Sequence, residues 1–122
     1  MSSITATANF IPVAQVSDFQ NGTMKAFRAD KRQVLVALVD GKFYAADNKC
    51  PHLGGNLSLG KLEGTVVTCP LHGSQFDLID GRVIRWTFWA GFKAKANQMF
   101  RPLRPLRVYP VKVEGDNILV GI

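Results

Sequence analysis

Cys50-Pro51-His52-Leu53-Gly54-Gly55 and Cys69-Pro70-Leu71-His72-Gly73-Ser74 are the two segments on which the reading of this chain turns. Together they hold every cysteine and every histidine of the 122 residues, and sixteen residues separate His52 from Cys69. Thiolate and imidazole are the ligands favoured by soft and borderline metals, and two of each complete a four-coordinate set. In Cys-Pro-His the ligands stand at i and i+2, and in an extended loop such side chains point the same way. Cys50, His52, Cys69 and His72 are therefore the candidate metal ligands.

The residues between and after the ligands narrow the choice of metal group. Pro51 and Pro70 fix φ beside each cysteine and remove a backbone donor that would otherwise need a partner. Gly54, Gly55 and Gly73 permit close approach of backbone to something bulky. A lone zinc ion has little use for two glycine-rich collars. A cluster with inorganic sulfide does, because its sulfurs accept hydrogen bonds from surrounding N–H groups.

Outward from these arms the chain reads as an all-β domain: short apolar runs separated by turn signals. Phe10 to Val13 is a first strand, with Pro12 marking an edge. Met24 to Arg28 alternates loosely, and Val34 to Val39 is a continuous apolar run of strand length, rich in valine. Asp40-Gly41 supplies a tight hairpin returning through Phe43 to Ala45. Asn48 to Leu59 reads as a loop, and Leu62 to Thr68, interrupted by Glu63-Gly64, as one short strand feeding Cys69. Phe76 to Ile79 leads to a second Asp-Gly turn at Asp80-Gly81. Val108 to Val113 and Ile118 to Val120 flank Gly115-Asp116 as a final hairpin. One domain over 1–122 is expected, burying roughly 65% of the surface of the unfolded chain.

Composition excludes several classes. At 47% hydrophobic the chain is too apolar to be disordered. With both cysteines used as ligands no disulfide remains, which suits a reducing cytoplasm. Met1 to Val13 lacks a basic start and a continuous apolar stretch, so no secretory signal is expected, nor any span of roughly 18 apolar residues. The net charge is +6, with Arg82, Arg85, Lys93, Lys95, Arg101, Arg104, Arg107 and Lys112 in a stretch without an acid. One end of the molecule is expected to be positive.

The two arms and the Gln75-Phe76-Asp77 that follows them resemble the Rieske-type iron–sulfur proteins, whose pattern is Cys-x-His followed by Cys-x-x-His. Val34 to Asn48 looks like the strand pair that leads into the first arm, and Val108 to Val120 like the closing hairpin. The resemblance implies an antiparallel β-sandwich of small sheets with two cluster-binding loops. It implies a 2Fe-2S cluster with Cys50 and Cys69 on one iron and His52 and His72 on the other. Leu53, Gly54, Gly73 and Ser74 would wrap it. Replacing two thiolates by neutral imidazoles makes reduction easier, so such centres span about −150 to +300 mV while plant-type ferredoxins lie near −400 mV. Respiratory members carry a serine and a tyrosine donating to cluster sulfurs, a loop-to-loop disulfide and a membrane anchor. Here Ser74 stands at the serine position, Phe76 replaces the tyrosine, and no further cysteine exists. A soluble ferredoxin with a potential in the lower half of the family range is the expectation.

The same resemblance makes 86–100 an insertion. It holds Trp86, Phe88, Trp89, Phe92 and Phe100 with Lys93 and Lys95, and Trp89, Phe92, Ala96, Met99 and Phe100 recur at helical spacing. A short amphipathic helix is expected. It packs on its own domain, docks a partner through aromatics and basic rim, or touches an anionic membrane. Nucleic acid is not expected, since no recognition motif accompanies the basic residues.

Three functions remain open. One is a cytoplasmic carrier passing single electrons from a flavin-dependent reductase to a terminal oxygenase or other acceptor, docking near His52, His72 and the segment 86–104. The second is a permanent redox subunit of a larger complex, and the third a zinc-stabilised binding module. Catalysis by the chain itself is not expected. No histidine is left for a mononuclear iron, and no glycine-rich dinucleotide fingerprint is present.

Overall fold

The computed structural model describes residues 9–51, 54–71, 73–85 and 104–122. It contains three antiparallel sheets, with strand orders β1-β11-β10, β2-β3-β4-β9 and β5-β6-β7-β8. The middle sheet is built from β2 (Thr23–Ala29), β3 (Arg32–Val39), β4 (Lys42–Asp47) and β9 (Val108–Tyr109).

The apolar run in β3 has a direct cause: both of its faces are covered. Val34, Val36 and Leu38 face one core with Phe19, Ala45, Ile118 and Val120. Leu35 and Ala37 face a second core with Ala46, Leu57, Val67, Phe76 and Leu78. Successive strand side chains alternate between faces, so a strand buried twice shows no alternation in polarity. The β3–β4 turn is Asp40-Gly41, with φ of 49° and 80°, as its sequence requires.

The first core is closed by β1 (Phe10–Gln15), β10 (Val111–Glu114) and β11 (Asn117–Gly121), with β1 at the edge. Pro12 lies in that edge strand, as expected, beside a register shift between Pro12 and Ala14. The expected strand Val108 to Val113 is in fact two. Val108 and Tyr109 pair with β4, while Val111 onward pairs with β11. Pro110, which cannot donate to a ladder, stands at the change of sheet.

The third sheet carries β5 (Lys61–Glu63), β6 (Val66–Thr68), β7 (Gln75–Asp77) and β8 (Val83–Arg85). Here the expectation of one strand over Leu62 to Thr68 fails. Gly64, at φ 58°, turns the chain, and Leu62 pairs with Val67 across a hairpin. The run Phe76 to Ile79 ends early as well, for Ile79 is in the turn and exposed. β8 has no counterpart in the sequence reading. The Leu106 N–H donates to the Gly81 carbonyl at 2.8 Å, so the chain returns to this sheet at the β7–β8 connection. The helix expected over 86–100 lies outside the described residues, among which helical structure is limited to two three-residue 3-10 turns, Val16–Asp18 and Leu57–Leu59.

Candidate metal centre

Two loops leave the sheets toward the same place. Loop 1 runs from β4 through Cys50 to Gly55, and loop 2 joins β6 to β7 through Cys69 to Ser74. Their backbones make the same turn. The Cys50 carbonyl accepts from Gly54 N–H at 2.8 Å, and the Cys50 N–H donates to the Gly55 carbonyl at 2.8 Å. The Cys69 carbonyl accepts from Gly73 N–H at 3.1 Å, and the Cys69 N–H donates to the Ser74 carbonyl at 2.8 Å. Gly54 and Gly73 occupy equivalent positions with φ of 77° and 73°, a conformation that favours glycine.

The glycines therefore divide their work in a way the sequence did not reveal. Gly54 is needed for its backbone conformation, because a Cβ there would meet nothing within 4 Å. Close approach belongs to Gly55, where a Cβ would lie 2.9 Å from Cys69 Sγ and 2.9 Å from Leu71 Cδ1. Loop 1 thus presents bare backbone to the sulfur of loop 2. The two turns are apposed, with Cys69 Sγ and Leu71 of loop 2 against Gly55 of loop 1.

Both cysteines are buried, at 3% and 2% exposure, and neither is in a disulfide. They belong to the same core as Phe76, Leu78 and Leu106, so the sulfurs sit against low-dielectric packing. Ser74 is fully buried at the end of loop 2. Phe76, two residues on, is likewise fully buried between Val67 and Val83. His52, Leu53 and His72 lie outside the described residues, so the described part of the site consists of Cys50, Gly54, Cys69, Gly73 and Ser74. Two buried thiols in matched turns, with bare backbone against one sulfur, fit a sulfide-containing cluster better than a single small ion.

The loops are held by different means. Loop 2 is the turn of a hairpin, and Gln75 Nε2 donates to Thr68 Oγ1 at 3.1 Å across its base. Arg85 reaches it from β8, where Nε donates to the Gly73 carbonyl at 3.1 Å. A register shift between Gln75 and Phe76 sets Arg85 opposite Gln75, beside the loop. Loop 1 has no such sheet. It is anchored by Asn48, which is 2% exposed. The Asn48 carbonyl accepts from Leu57 N–H at 2.7 Å, its Oδ1 accepts from Ser58 N–H at 2.9 Å, and its N–H donates to the Gln33 carbonyl at 3.1 Å. Behind it, the Tyr109 hydroxyl donates to Asp47 Oδ1 in a short hydrogen bond. Burial, reinforced by that bond, raises the Tyr109 pKa above its ordinary value.

Asn48 and Arg85 escaped the sequence reading. Position was a signal for Asn48 alone, two residues before Cys50; Arg85 stands twelve residues beyond Gly73 and is brought to it by β8.

The chain is similar to known proteins over nearly its whole length. The model of the Rieske [2Fe-2S] domain matches residues 9–99. The ferredoxin component of the naphthalene 1,2-dioxygenase/salicylate 5-hydroxylase systems of Ralstonia sp is 29% identical, covering 93% of this chain and 96% of that protein. The ferredoxin component of biphenyl 2,3-dioxygenase from Rhodococcus jostii (strain RHA1) is 34% identical over 90% of each. A ferredoxin chain solved in complex with the oxygenase of carbazole 1,9a-dioxygenase superposes with a TM-score of 0.72 at 29% identity. That match covers 90% of this chain and 99% of the other.

Proposed function

The chain belongs to the Rieske [2Fe-2S] domain family, and from that premise we propose that Cys50 and Cys69 hold one iron of its cluster and His52 and His72 the other. The protein is an electron carrier rather than a catalyst, as the ferredoxin components similar to it are. The bound 2Fe-2S group supplies a reversible one-electron couple, made easier to reduce by its two neutral ligands.

The chain's own residues set the conditions for that couple. The matched turns close on Gly54 and Gly73 and bring the two thiols to one site. Gly55 leaves room at Cys69 Sγ, Ser74 lies buried at the end of loop 2, and we assign Leu53 with it to the wrapping of the cluster. Phe76 brings no hydroxyl to the site, which supports a potential in the lower half of the family range. Leu71, beside His72, is 56% exposed. An exposed apolar residue next to His72 in sequence supports docking there, near His52, His72 and the basic aromatic segment 86–104.

The roles of the relatives, ferredoxin components of dioxygenase systems, support extending the reading to partners. We take the electron donor to be a flavin-dependent reductase and the acceptor a terminal oxygenase, with 1–122 acting as a single domain in the cytoplasm. Among the described residues no helix is long and apolar enough to cross a membrane. The apposition of two equivalent cysteine turns is the observation that carries this reading. Reductive coulometry of the purified protein tests it. A reversible uptake of one electron per chain, with no oxygen consumed by the protein alone, is expected. No reversible uptake would overturn it, and copurification at fixed stoichiometry with a larger enzyme would replace the mobile carrier by a permanent subunit.

A further inference from the structure

The basic stretch from Arg82 to Lys112 does not form one surface among the described residues. Arg82 pairs with the Asp77 carboxylate at 3.2 Å, and Lys112 with Glu114 at 3.2 Å. Arg85 is turned onto the Gly73 carbonyl. Arg107 instead lines a groove with Arg32, and Arg32 also lines an adjoining groove with Lys31, Asp47 and Lys49.

These cations come from separate parts of the chain and converge at one end of the middle sheet. Lys31 lies in the β2–β3 turn, and Arg32 opens β3. Lys49 follows β4, and Arg107, whose carbonyl accepts from Asp47 N–H at 2.9 Å, precedes β9. This is the end from which loop 1 departs, and Lys49 is the residue before the ligand Cys50. All four are exposed. Arg28 and Asp30 at the same end offset each other in charge. The remaining acid, Asp47, is engaged by the Tyr109 hydroxyl, which Arg32 Nη1 approaches at 3.5 Å. At the far end of the sheet, Lys25 and Lys42 are balanced by Asp18 and Asp40.

We propose that Lys31, Arg32, Lys49 and Arg107 form a docking band for an acidic rim on the protein that exchanges electrons with the cluster. The inference rests on the carrier reading above and adds to it a surface that no motif in the sequence marks. The two grooves share only Arg32, so a small anion in one groove leaves cations of the other uncovered, whereas a protein surface spans both. Placed beside loop 1, such a band orients an approaching partner toward the two cysteine loops and raises the encounter rate.

Two protein oxidants of opposite surface charge test this: an acidic blue-copper protein and a basic c-type cytochrome, each mixed with the dithionite-reduced, cluster-loaded chain in a stopped-flow instrument. The band variant carries Lys31→Glu, Lys49→Glu and Arg107→Glu. Arg32 is left in place because it contacts Tyr109. The control variant carries Lys25→Glu, Lys42→Glu and Lys112→Glu, and has the same net charge. With the blue-copper protein, the band variant is expected to react about tenfold or more slowly at low salt. With the cytochrome it reacts faster, and the control variant shifts either rate by no more than about twofold. Equal effects of the two variants would show that net charge alone acts, and would overturn the proposal. Slowing with both oxidants alike would overturn it too, because the cause would then not be charge. Failure of the carrier reading is distinguishable, since a chain without a reversible one-electron centre fails coulometry beforehand.

Discussion

Loop 1 and loop 2 make one turn twice, yet they are supported in opposite ways. Each closes with a cysteine carbonyl bonded to the N–H of a glycine at positive φ, followed by a cysteine N–H bonded to the next carbonyl. Loop 2 inherits its rigidity from a four-stranded sheet, through β6, β7 and the Arg85 side chain. Loop 1 hangs from the end of β4 and relies on one buried amide, Asn48, which ties it to Leu57, Ser58 and the neighbouring strand. A shared demand for geometry is thus met by distributed pairing on one side and by a concentrated anchor on the other. Concentrated support is the more vulnerable, because one substitution removes the side-chain bond to Ser58 and leaves the loop only the backbone bonds to Leu57 and Gln33.

That contrast orders the expected effects. The largest arises where the loops touch. Gly55→Val brings a branched side chain against Cys69 Sγ, which as the iron ligand proposed above could not yield to it, and overpacking of this kind costs about 1–3 kcal/mol. Cluster absorbance should be largely lost while the far-UV signal of the sheets remains. A fully loaded variant would mean that the loops are not apposed as described. Next comes Asn48→Ala, which strands the Ser58 N–H and should destabilise by about 1–3 kcal/mol. Cluster release on heating should then precede global unfolding, as followed by visible absorbance beside circular dichroism.

The matching change in loop 2, Gln75→Ala, removes a partly exposed bond and should cost only about 0.5–1.5 kcal/mol, with cluster release and unfolding still coincident. Equal behaviour of these two variants would erase the distinction between the loops. The smallest effect is that of alkali. A group whose folded pKa is raised contributes fully below its unfolded value, about 10 for tyrosine, and the contribution is lost as pH rises through the folded pKa. Since Tyr109 backs loop 1 through Asp47, cluster loss should accelerate more steeply in the parent chain than in Tyr109→Phe as pH rises above about 10. Identical pH profiles would show that this pair does not support the loop.

Much of this architecture is legible in the residues, for reasons that can be named. The ligand arms are legible because cysteine and histidine occur nowhere else, and the hairpin at Asp40-Gly41 because its φ values exclude most residues. Val34 to Val39 announces a strand, although only the structure shows that its unbroken polarity comes from two cores. What stayed hidden depends on distant partners. Asn48 is one polar residue before a loop until Gln33 and Ser58 are brought to it. Pro110 ends one pairing and begins another, which an apolar run read along the chain does not disclose. Gly64 looked like an interruption and is a turn. In the basic stretch, charge along the sequence says nothing of pairing. Arg82 and Lys112 find acids, while Arg107 joins cations from the other end of the chain.

The central claim is that two cysteine turns, each with its histidine, share one cluster with two unlike irons. An EPR spectrum of the dithionite-reduced protein, with iron and acid-labile sulfide counted on the same sample, tests it most directly. The account requires a rhombic signal with average g clearly below that of all-cysteine ferredoxins, and about two irons and two sulfides per chain. A silent sample holding zinc instead, or a signal with the average g of all-cysteine ligation, would contradict it.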